Sequence, residues 1–230
     1  MNVRRATAVL VLAGATAAAA DWPQWLGPRR DGGSAEVVAP WKDAPKEVWK
    51  AKVGIGFSSP VVANGRVFLH ARVNGKEREV MTAFDAATGK EVWKTPYDRA
   101  PYSSVLNTGP QATPAVSGGR VYGYGITGVL TCFDAATGKQ VWQTDILKVS
   151  KADVPRFGVC CSPLVVGTGD GNLLVLDDAG NLKLIDATAG EYRELASARA
   201  CEATLVAPAL ANGHVFARDG DTLRCLKLAP

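Results

Sequence analysis

Short runs of alternating apolar and polar residues, separated by turn signals, recur along most of the chain. Arg66 to Val73 alternates as a strand with two unlike faces would, and it follows Asn64-Gly65, a pair suited to a type I′ hairpin turn. A second turn at Asn74-Gly75 leads to a run that ends at Phe84. The pattern predicts antiparallel hairpins of short strands.

A twelve-residue phrase links these runs to a further strand and occurs twice. "FDAATGKEVWKT" begins at Phe84 and "FDAATGKQVWQT" begins at Phe133, with ten of twelve positions identical. The aspartate can accept hydrogen bonds from its own turn, the glycine can adopt the left-handed conformation, and the tryptophan can pack against a neighbouring blade. Each copy therefore predicts a turn followed by the docking strand of a four-stranded blade. The structural residues assigned in this way are Asp85, Gly89, Trp93, Asp134, Gly138 and Trp142.

A second phrase marks the start of each unit. It reads "SSPVVANGRVFLH", "ATPAVSGGRVYGYG", "CSPLVVGTGDGNLLVL" and "VAPALANGHVFARD", and its prolines are Pro60, Pro114, Pro163 and Pro208, at steps of 54, 49 and 45 residues. A repeat of this length built of short strands predicts the blades of a β-propeller. The fold class predicted is all-β, with about four blades of four antiparallel strands. The third unit lacks the tryptophan, and we place Glu194 at the equivalent position.

The two ends of the repeat region complement each other. The fourth unit stops after "TLRCLKLAP" with no tryptophan strand, while "EVWKAKV", Glu47 to Val53, begins like Glu91 to Lys94. We therefore expect Glu47 to Val53 to pair with Thr222 to Leu228, which would complete the last blade and cover an open sheet edge. Since four blades must each turn about 90°, the ring is expected to be either strained or incompletely closed.

The first twenty residues read as a targeting segment. Arg4 and Arg5 precede the apolar run Ala6 to Ala20, which ends in small residues before Asp21, as in a secretory signal peptide. The alternative is a buried or membrane helix, but the run is too short to span a bilayer. Alanine stands where a lipoprotein signal would carry cysteine, so no lipid anchor is expected. The domains predicted are a signal peptide over 1–20, an N-terminal extension over 21–46 and a propeller over 47–230.

Charge narrows the range of partners. Without Arg4 and Arg5 the 26 basic residues become 24, against 22 acidic ones, a net charge of +2. This bias is too small to predict binding to nucleic acid or to an acidic membrane surface. The location expected is the periplasm or the medium, where thiols tend to be oxidised, and five cysteines leave at least one unpaired in a monomer.

With these motifs the chain resembles the pyrroloquinoline-quinone-like (PQQ-like) β-propeller repeat proteins. The resemblance rests on the opening phrase "DWPQWLGPRRDG", the two "DAATGK.VW" turns and the closing "APALANGHVFARDGDTLRCLKL". It implies a propeller fold, and relatives with seven or eight blades and a longer chain imply that central blades are missing here. It also implies two classes of function: a non-catalytic binding or scaffold module in the cell envelope, or a PQQ-dependent alcohol or sugar dehydrogenase.

Few residues point to chemistry. Cys160 and Cys161 are adjacent, and the resemblance implies that such a pair can form a vicinal disulfide beside a quinone; the alternative is two small residues in a strand. They are weak cofactor candidates, with PQQ and calcium expected only in the dehydrogenase interpretation. His70 and His214 lack a metal-ligand spacing, and the aspartates near Asp177 and Asp178 suit hairpin turns. We predict no catalytic residues, no metal site and no cofactor.

The long connections between units are the expected binding surface. A propeller brings the loops from each fourth strand to the next first strand onto one face, and these loops combine basic and aromatic residues, as interfaces do. Ordinary solvated loops are the alternative. The candidates for binding an unidentified envelope protein are Arg99, Tyr102, Lys148, Lys151, Arg156, Phe157 and Arg199.

Overall fold

The computed structural model describes residues 21–34, 36, 38, 40, 44–105, 107–166, 172–211 and 214–228. Within these residues fifteen strands form four antiparallel sheets, each built from strands that follow one another along the chain. The single helix described, α1, has four residues, Ile146–Val149. The predicted all-β fold of antiparallel blades is confirmed.

The sheets are defined by their strands as follows. Sheet 1 contains β1 (Val61–Ala63), β2 (Arg66–Arg72), β3 (Arg78–Asp85) and β4 (Glu91–Asp98); sheet 2 contains β5 (Ala115–Ser117), β6 (Arg120–Tyr124), β7 (Val129–Asp134) and β8 (Gln140–Asp145); sheet 3 contains β9 (Leu164–Val166), β10 (Asn172–Leu176), β11 (Asn181–Ile185) and β12 (Glu194–Arg199); sheet 4 contains β13 (Ala209–Ala211), β14 (His214–Asp219) and β15 (Thr222–Lys227).

The turns follow from the residues that occupy them. Asn64 and Gly65 have φ angles of 51° and 70°, as the predicted type I′ turn requires. In the repeated phrase, Asp85 accepts hydrogen bonds from the amide and hydroxyl of Thr88, at 2.8 and 2.7 Å. Gly89 closes the turn at a φ of 69°. Asp134, Thr137 and Gly138 repeat this arrangement in sheet 2.

A bulge between the third and fourth strands fixes the register of the outer strands. Trp93 pairs with Ala83 and Trp142 pairs with Cys132, each next to the bulge. In sheet 3 the residue in the same register is Ala196, paired with Leu184, while Glu194 pairs with Ile185. The placement of Glu194 at the tryptophan position is therefore corrected by two residues, because a segment without the tryptophan offers no marker for the bulge.

Three buried clusters join the sheets in order. One lies between sheets 1 and 2 and includes Phe68, Trp93 and Phe133, and the next lies between sheets 2 and 3 around Tyr122 and Trp142. The last lies between sheets 3 and 4. None of the described clusters joins sheet 4 to sheet 1. The first strands of sheets 1, 2 and 3 are neighbours, so they form the inner side of the array.

Ring closure by the N-terminal strand is not formed in this structure. Sheet 4 has three strands among the described residues, and Glu47 to Val53 belongs to no sheet. Thr222 to Lys227 forms β15 as expected, but its outer edge has no described partner strand. Closure of the ring stays a prediction.

The segment Asp21 to Gly33 follows the inner strands of the array. Trp22 pairs with Val62 in β1, and the carbonyl of Pro23 accepts a hydrogen bond from the amide of Val116 in β5 at 2.8 Å. Arg30 donates to the carbonyl of Pro163, next to β9, at 3.4 Å. This part of the predicted N-terminal extension is therefore integrated into the fold.

The expected signal peptide, residues 1–20, lies outside the described residues. Among the residues that the structure describes, no helix has the length and apolar character needed to cross a membrane.

Candidate loop-face binding site

The loops that join successive sheets meet along one side of the array. They are residues 99–114, 146–163 and 200–208, which we call the loop face. A polar contact links the inner ends of the first two loops, since the amide of Thr113 donates to Ser162 Oγ at 2.9 Å. The amide of Ser59, just before β1, donates in turn to Thr113 Oγ1 at 3.3 Å. The first two loops are therefore tied to each other as well as to their own sheets.

Tyr102, Arg156 and Phe157 form the centre of the loop face. The Tyr102 hydroxyl donates to the carbonyl of Arg156 at 2.8 Å, and the side-chain amide of Gln111 donates to the carbonyl of Phe157. The Arg156 guanidinium carbon lies 5.5 Å from the centroid of the Phe157 ring. Arg156 and Phe157 are exposed, and Val105 on the neighbouring loop is 95% exposed. An arginine lies over an aromatic ring here, and Tyr102 and Gln111 hold the backbone of both residues. Such an arrangement suits protein recognition.

Lys148 and Lys151 are exposed in the second loop of the loop face. Lys148 lies in α1, and its amide donates to the capping carboxylate of Asp145 at 2.9 Å. Lys151 follows the helix with a φ of 55°. They extend the basic character of the loop face.

Two of the residues predicted to bind a partner, Arg199 and Arg99, do not contribute to the exposed loop face. Arg199 ends β12 rather than lying in a loop, and it forms an ion pair with Glu202 at 2.7 Å. Arg99 has to be removed from the predicted surface because its side chain is buried. Sequence alone did not show this burial, since a basic residue in a long connection is usually solvated.

Arg99 belongs to a buried polar network between sheets 1 and 2 that the sequence did not predict. The Tyr97 hydroxyl donates to Glu79 Oε2 at 2.7 Å and lies 2.7 Å from His70 Nε2, while the amide of Ile126 donates to Glu79 Oε1 at 3.1 Å. Arg99 Nη1 lies 3.9 Å from Glu79 Oε1. Burial lowers the pKa of His70 to about 3 and raises the pKa of Glu79, which its hydrogen bonds partly oppose. His70 is therefore neutral at pH 7, and the network orders the loops beside it.

A cavity of about 570 Å³ lies between the loop face and sheet 4. Its lining includes Phe157, Leu205, Val206 and Arg218, and the carboxyl group of Asp178 lies beneath. Leu205 and Val206 are partly exposed, so the rim of the cavity is apolar.

Asp178 is the most perturbed acid beside this cavity. It is buried, and within the described part of the chain neither carboxylate oxygen has a hydrogen-bond partner. Burial raises its pKa to about 7; the Cys161 thiol and the Cys160 amide oppose the rise, although neither meets hydrogen-bond geometry. The neighbouring Asp177 differs because it accepts hydrogen bonds from the backbone and side chain of Asn181.

Cys160 and Cys161 are free thiols in this structure. Cys160 Sγ lies 3.5 Å from Gln111 Oε1, and Cys161 is buried beside Asp178. Burial raises the pKa of Cys160 to about 11 and raises that of Cys161 further. Both thiols are protonated at pH 7, which makes them weak nucleophiles and weak metal ligands.

The donors around this cysteine pair do not fit a calcium-bound quinone. Calcium takes six to eight oxygen ligands, whereas the acid beside the pair is Asp178, a single carboxyl group. Across the described residues, no group of three or more histidine, cysteine, aspartate or glutamate side chains is arranged to hold a metal ion.

A second cavity, of about 790 Å³, lies on the inner side of the array. The N-terminal segment lines it with Trp25, Leu26 and Arg30, opposite Leu164 and Pro208. Burial lowers the pKa of Arg30 to about 10, so this guanidinium stays charged and is held by Gln24 Oε1 at 2.8 Å. Its Nε and Nη2 groups donate to Gln24 and Pro163 within the protein.

The repeats match a known family of β-propeller proteins. A PQQ-like repeat model described as outer membrane protein assembly factor BamB matches residues 11–122, 76–167 and 127–228. The chain belongs to this PQQ-like repeat family. Among curated protein sequences, none matches it significantly.

Three solved structures are similar to parts of this chain at low identity. BamB from Moraxella catarrhalis is 18% identical with a TM-score of 0.49, over 76% of this chain and 46% of that one. A quinohemoprotein alcohol dehydrogenase from Comamonas testosteroni is 22% identical with a TM-score of 0.45, over 75% of this chain and 26% of that one. A europium-containing methanol dehydrogenase is 20% identical with a TM-score of 0.44, over 62% and 24% of the two chains. The chain spans less than half the length of each.

Proposed function

We propose that the protein is an exported, non-catalytic propeller that serves as a binding or scaffold module for another protein in the periplasm or cell envelope. The observation that carries the proposal is the centre of the loop face, where Tyr102 and Gln111 hold the backbone of exposed Arg156 and Phe157. The family model, whose description names an outer membrane assembly factor, supports the envelope as the location.

The order of this centre favours binding. A backbone that is already held in place loses little conformational freedom on association, so more of the contact energy appears as affinity. Arginine and aromatic residues commonly dominate such interfaces, and the neighbouring Val105 adds apolar surface. The net charge is small, which favours a protein partner of mixed character over nucleic acid.

Simultaneous replacement of Tyr102, Arg156 and Phe157 by alanine tests the proposal. Because these side chains make few contacts within the core, we expect the fold to persist while capture of envelope proteins by the tagged protein is lost. The measurement is affinity purification from cross-linked envelopes, with circular dichroism as the check on folding. A matched control replaces Val92, Arg193 and Leu195, which are exposed on other parts of the surface. Capture that survives in the loop variant, or disappears equally in the control, would contradict the proposal.

The dehydrogenase interpretation remains as the second candidate. The observation that favours it is the adjacent pair Cys160 and Cys161 beside the perturbed Asp178. Purified protein mixed with PQQ and calcium is expected to show neither a bound chromophore nor dye-linked alcohol oxidation. A stoichiometric chromophore with oxidation would replace the binding proposal with the catalytic one.

A further inference from the structure

The outer face of sheet 4 has the composition of an interface but is uncovered. In sheets 1, 2 and 3 the equivalent third-strand residues Met81, Leu130 and Leu182 are 0%, 0% and 6% exposed, because each packs against the following sheet. Leu223 has the same register in β15 and is 72% exposed. Two residues further, Ala83 and Cys132 are buried, whereas Cys225 is exposed.

Sheet 1 shows the complementary deficit. In sheets 2, 3 and 4 the second-strand residues Val121, Leu173 and Val215 are fully buried against the preceding sheet. The equivalent residue in β2 is Val67, and Leu69 lies on the same face of that strand. Both are only half-buried. Among the described residues, one end of the array therefore lacks a following sheet and the other lacks a preceding one.

Trp49 already occupies the place of a tryptophan from a preceding sheet. Its Nε1 donates to the carbonyl of Ala86 at 3.0 Å, as Trp93 Nε1 donates to the carbonyl of Ala135 at 3.1 Å. The Trp49 ring packs over Gly89, and the Trp93 ring packs over Gly138 in the same way. Glu47 to Val53 thus lies where an outer strand of a preceding sheet would lie, but it has no sheet to complete it.

We propose that sheet 4 of one copy packs on sheet 1 of a second copy, and that Glu47 to Val53 of the second copy pairs with the free edge of β15. Applied twice by a two-fold axis, this contact closes a ring of two copies. Each copy then supplies the outer strand that the other lacks, and Leu223 and Cys225 become buried as their equivalents are.

A second copy fits this contact better than closure of one chain on itself. Eight sheets around a ring turn about 45° at each step, whereas four must turn about 90°. The N-terminal segment lies along the inner strands of sheets 1 to 3, so a four-sheet ring would have to close around it. Close-packed interfaces tolerate such a change of angle poorly.

The mass of the full chain in solution gives the first test. Light scattering is expected to give twice the mass of one chain. Leu223→Glu places a charge in the proposed interface and should halve that mass while leaving the circular dichroism unchanged, because Leu223 is exposed in the single chain. Leu195→Glu, on the exposed outer strand of sheet 3, is the matched control and should leave the mass unchanged. A wild-type mass of one chain would overturn the proposal.

Disulfide trapping gives the second test and does not depend on the Leu223→Glu variant. The register of Met81 with Thr95 places Ala51 opposite Leu223 in the proposed pairing. With Cys225→Ser as the background, Ala51→Cys protein mixed with Leu223→Cys protein should form a covalent heterodimer under mild oxidation. Neither protein alone should do so. A doubly substituted chain that links internally and stays monomeric would show that one chain closes on itself, and a dimer without this link would overturn the proposed geometry.

Discussion

At Asp178 the environment of one side chain makes the stability of the fold depend on pH. The folded protein binds a proton with a pKa of about 7, against an ordinary value of 3.8, because the carboxyl group is buried and has no hydrogen-bond partner among the described residues. Between these values the folded state holds a proton that the unfolded state has lost, so stability rises as the pH falls from 7 toward 3.8. Above pH 7 the ionised carboxylate costs up to about 4 kcal/mol.

Asp178→Asn should therefore raise the free energy of unfolding at pH 8 and change it little at pH 4. Urea denaturation at both pH values measures the difference. Asp177→Asn is the control, and it should lower stability at both values because Oδ2, which accepts from Asn181 Nδ2, is replaced by an amide donor. An equal effect of Asp178→Asn at the two pH values would disprove the buried, unpaired carboxylate.

The burial of individual polar side chains such as Asp178 could not be predicted from sequence. Asp178 stands in a turn-like context beside glycine and differs from Asp177 only in its surroundings, which arise from three distant segments. His70 and Glu79 likewise lie in ordinary strands, and their network forms only when sheet 2 supplies Ile126. By contrast, the positive φ angles at Asn64 and Gly65 follow from local chemistry and were predictable.

At the scale of the element, the repeated turn serves both as a reversal and as a docking platform. Gly138 has a φ of 74°, and an added Cβ would lie 2.5 Å from the Trp93 ring. Gly65 has a similar φ of 70°, but an added Cβ would meet open space. Alanine substitutions at these two glycines therefore distinguish the cost of backbone strain alone from the cost of strain plus a packing clash.

Gly65→Ala is expected to lower the free energy of unfolding by about 1 kcal/mol, through the left-handed conformation alone. Gly138→Ala adds the displacement of Trp93 and should cost about 2–4 kcal/mol. Denaturant unfolding followed by tryptophan fluorescence measures both. Equal costs would mean that the tryptophan does not dock on the turn as described.

The strands, turns and tryptophan strands of sheets 1 and 2 were predictable because each is encoded within about a dozen neighbouring residues. The register of β12 was not, because Ala196 replaces the marker tryptophan and a bulge shifts the pairing. Burial of Arg99 also escaped prediction, since it depends on Glu79 in β3 and on Glu77 in the turn before that strand.

At the scale of the whole molecule, the repeat determines the order of the sheets but not what covers the two ends of the array. The sequence similarity of Glu47 to Lys50 with Glu91 to Lys94 predicted an outer strand, and Trp49 occupies the docking position of such a strand. Whether this segment pairs with β15 of its own chain or of a second copy depends on packing between distant parts of the fold. The pattern of strands along the sequence does not encode that choice. The ends and the loop face are separate surfaces, so assembly of two copies would leave Arg156 and Phe157 available to another protein.

Binding of another envelope protein by the loop face can be tested in the producing cell. A photo-crosslinking amino acid is placed at Phe157, with Val92, a comparably exposed residue of β4, as the control position. Irradiation should join the protein to a defined second protein from position 157 and not from position 92, as read by a mass shift and peptide identification. No adduct from position 157, or the same adduct from both positions, would contradict the account.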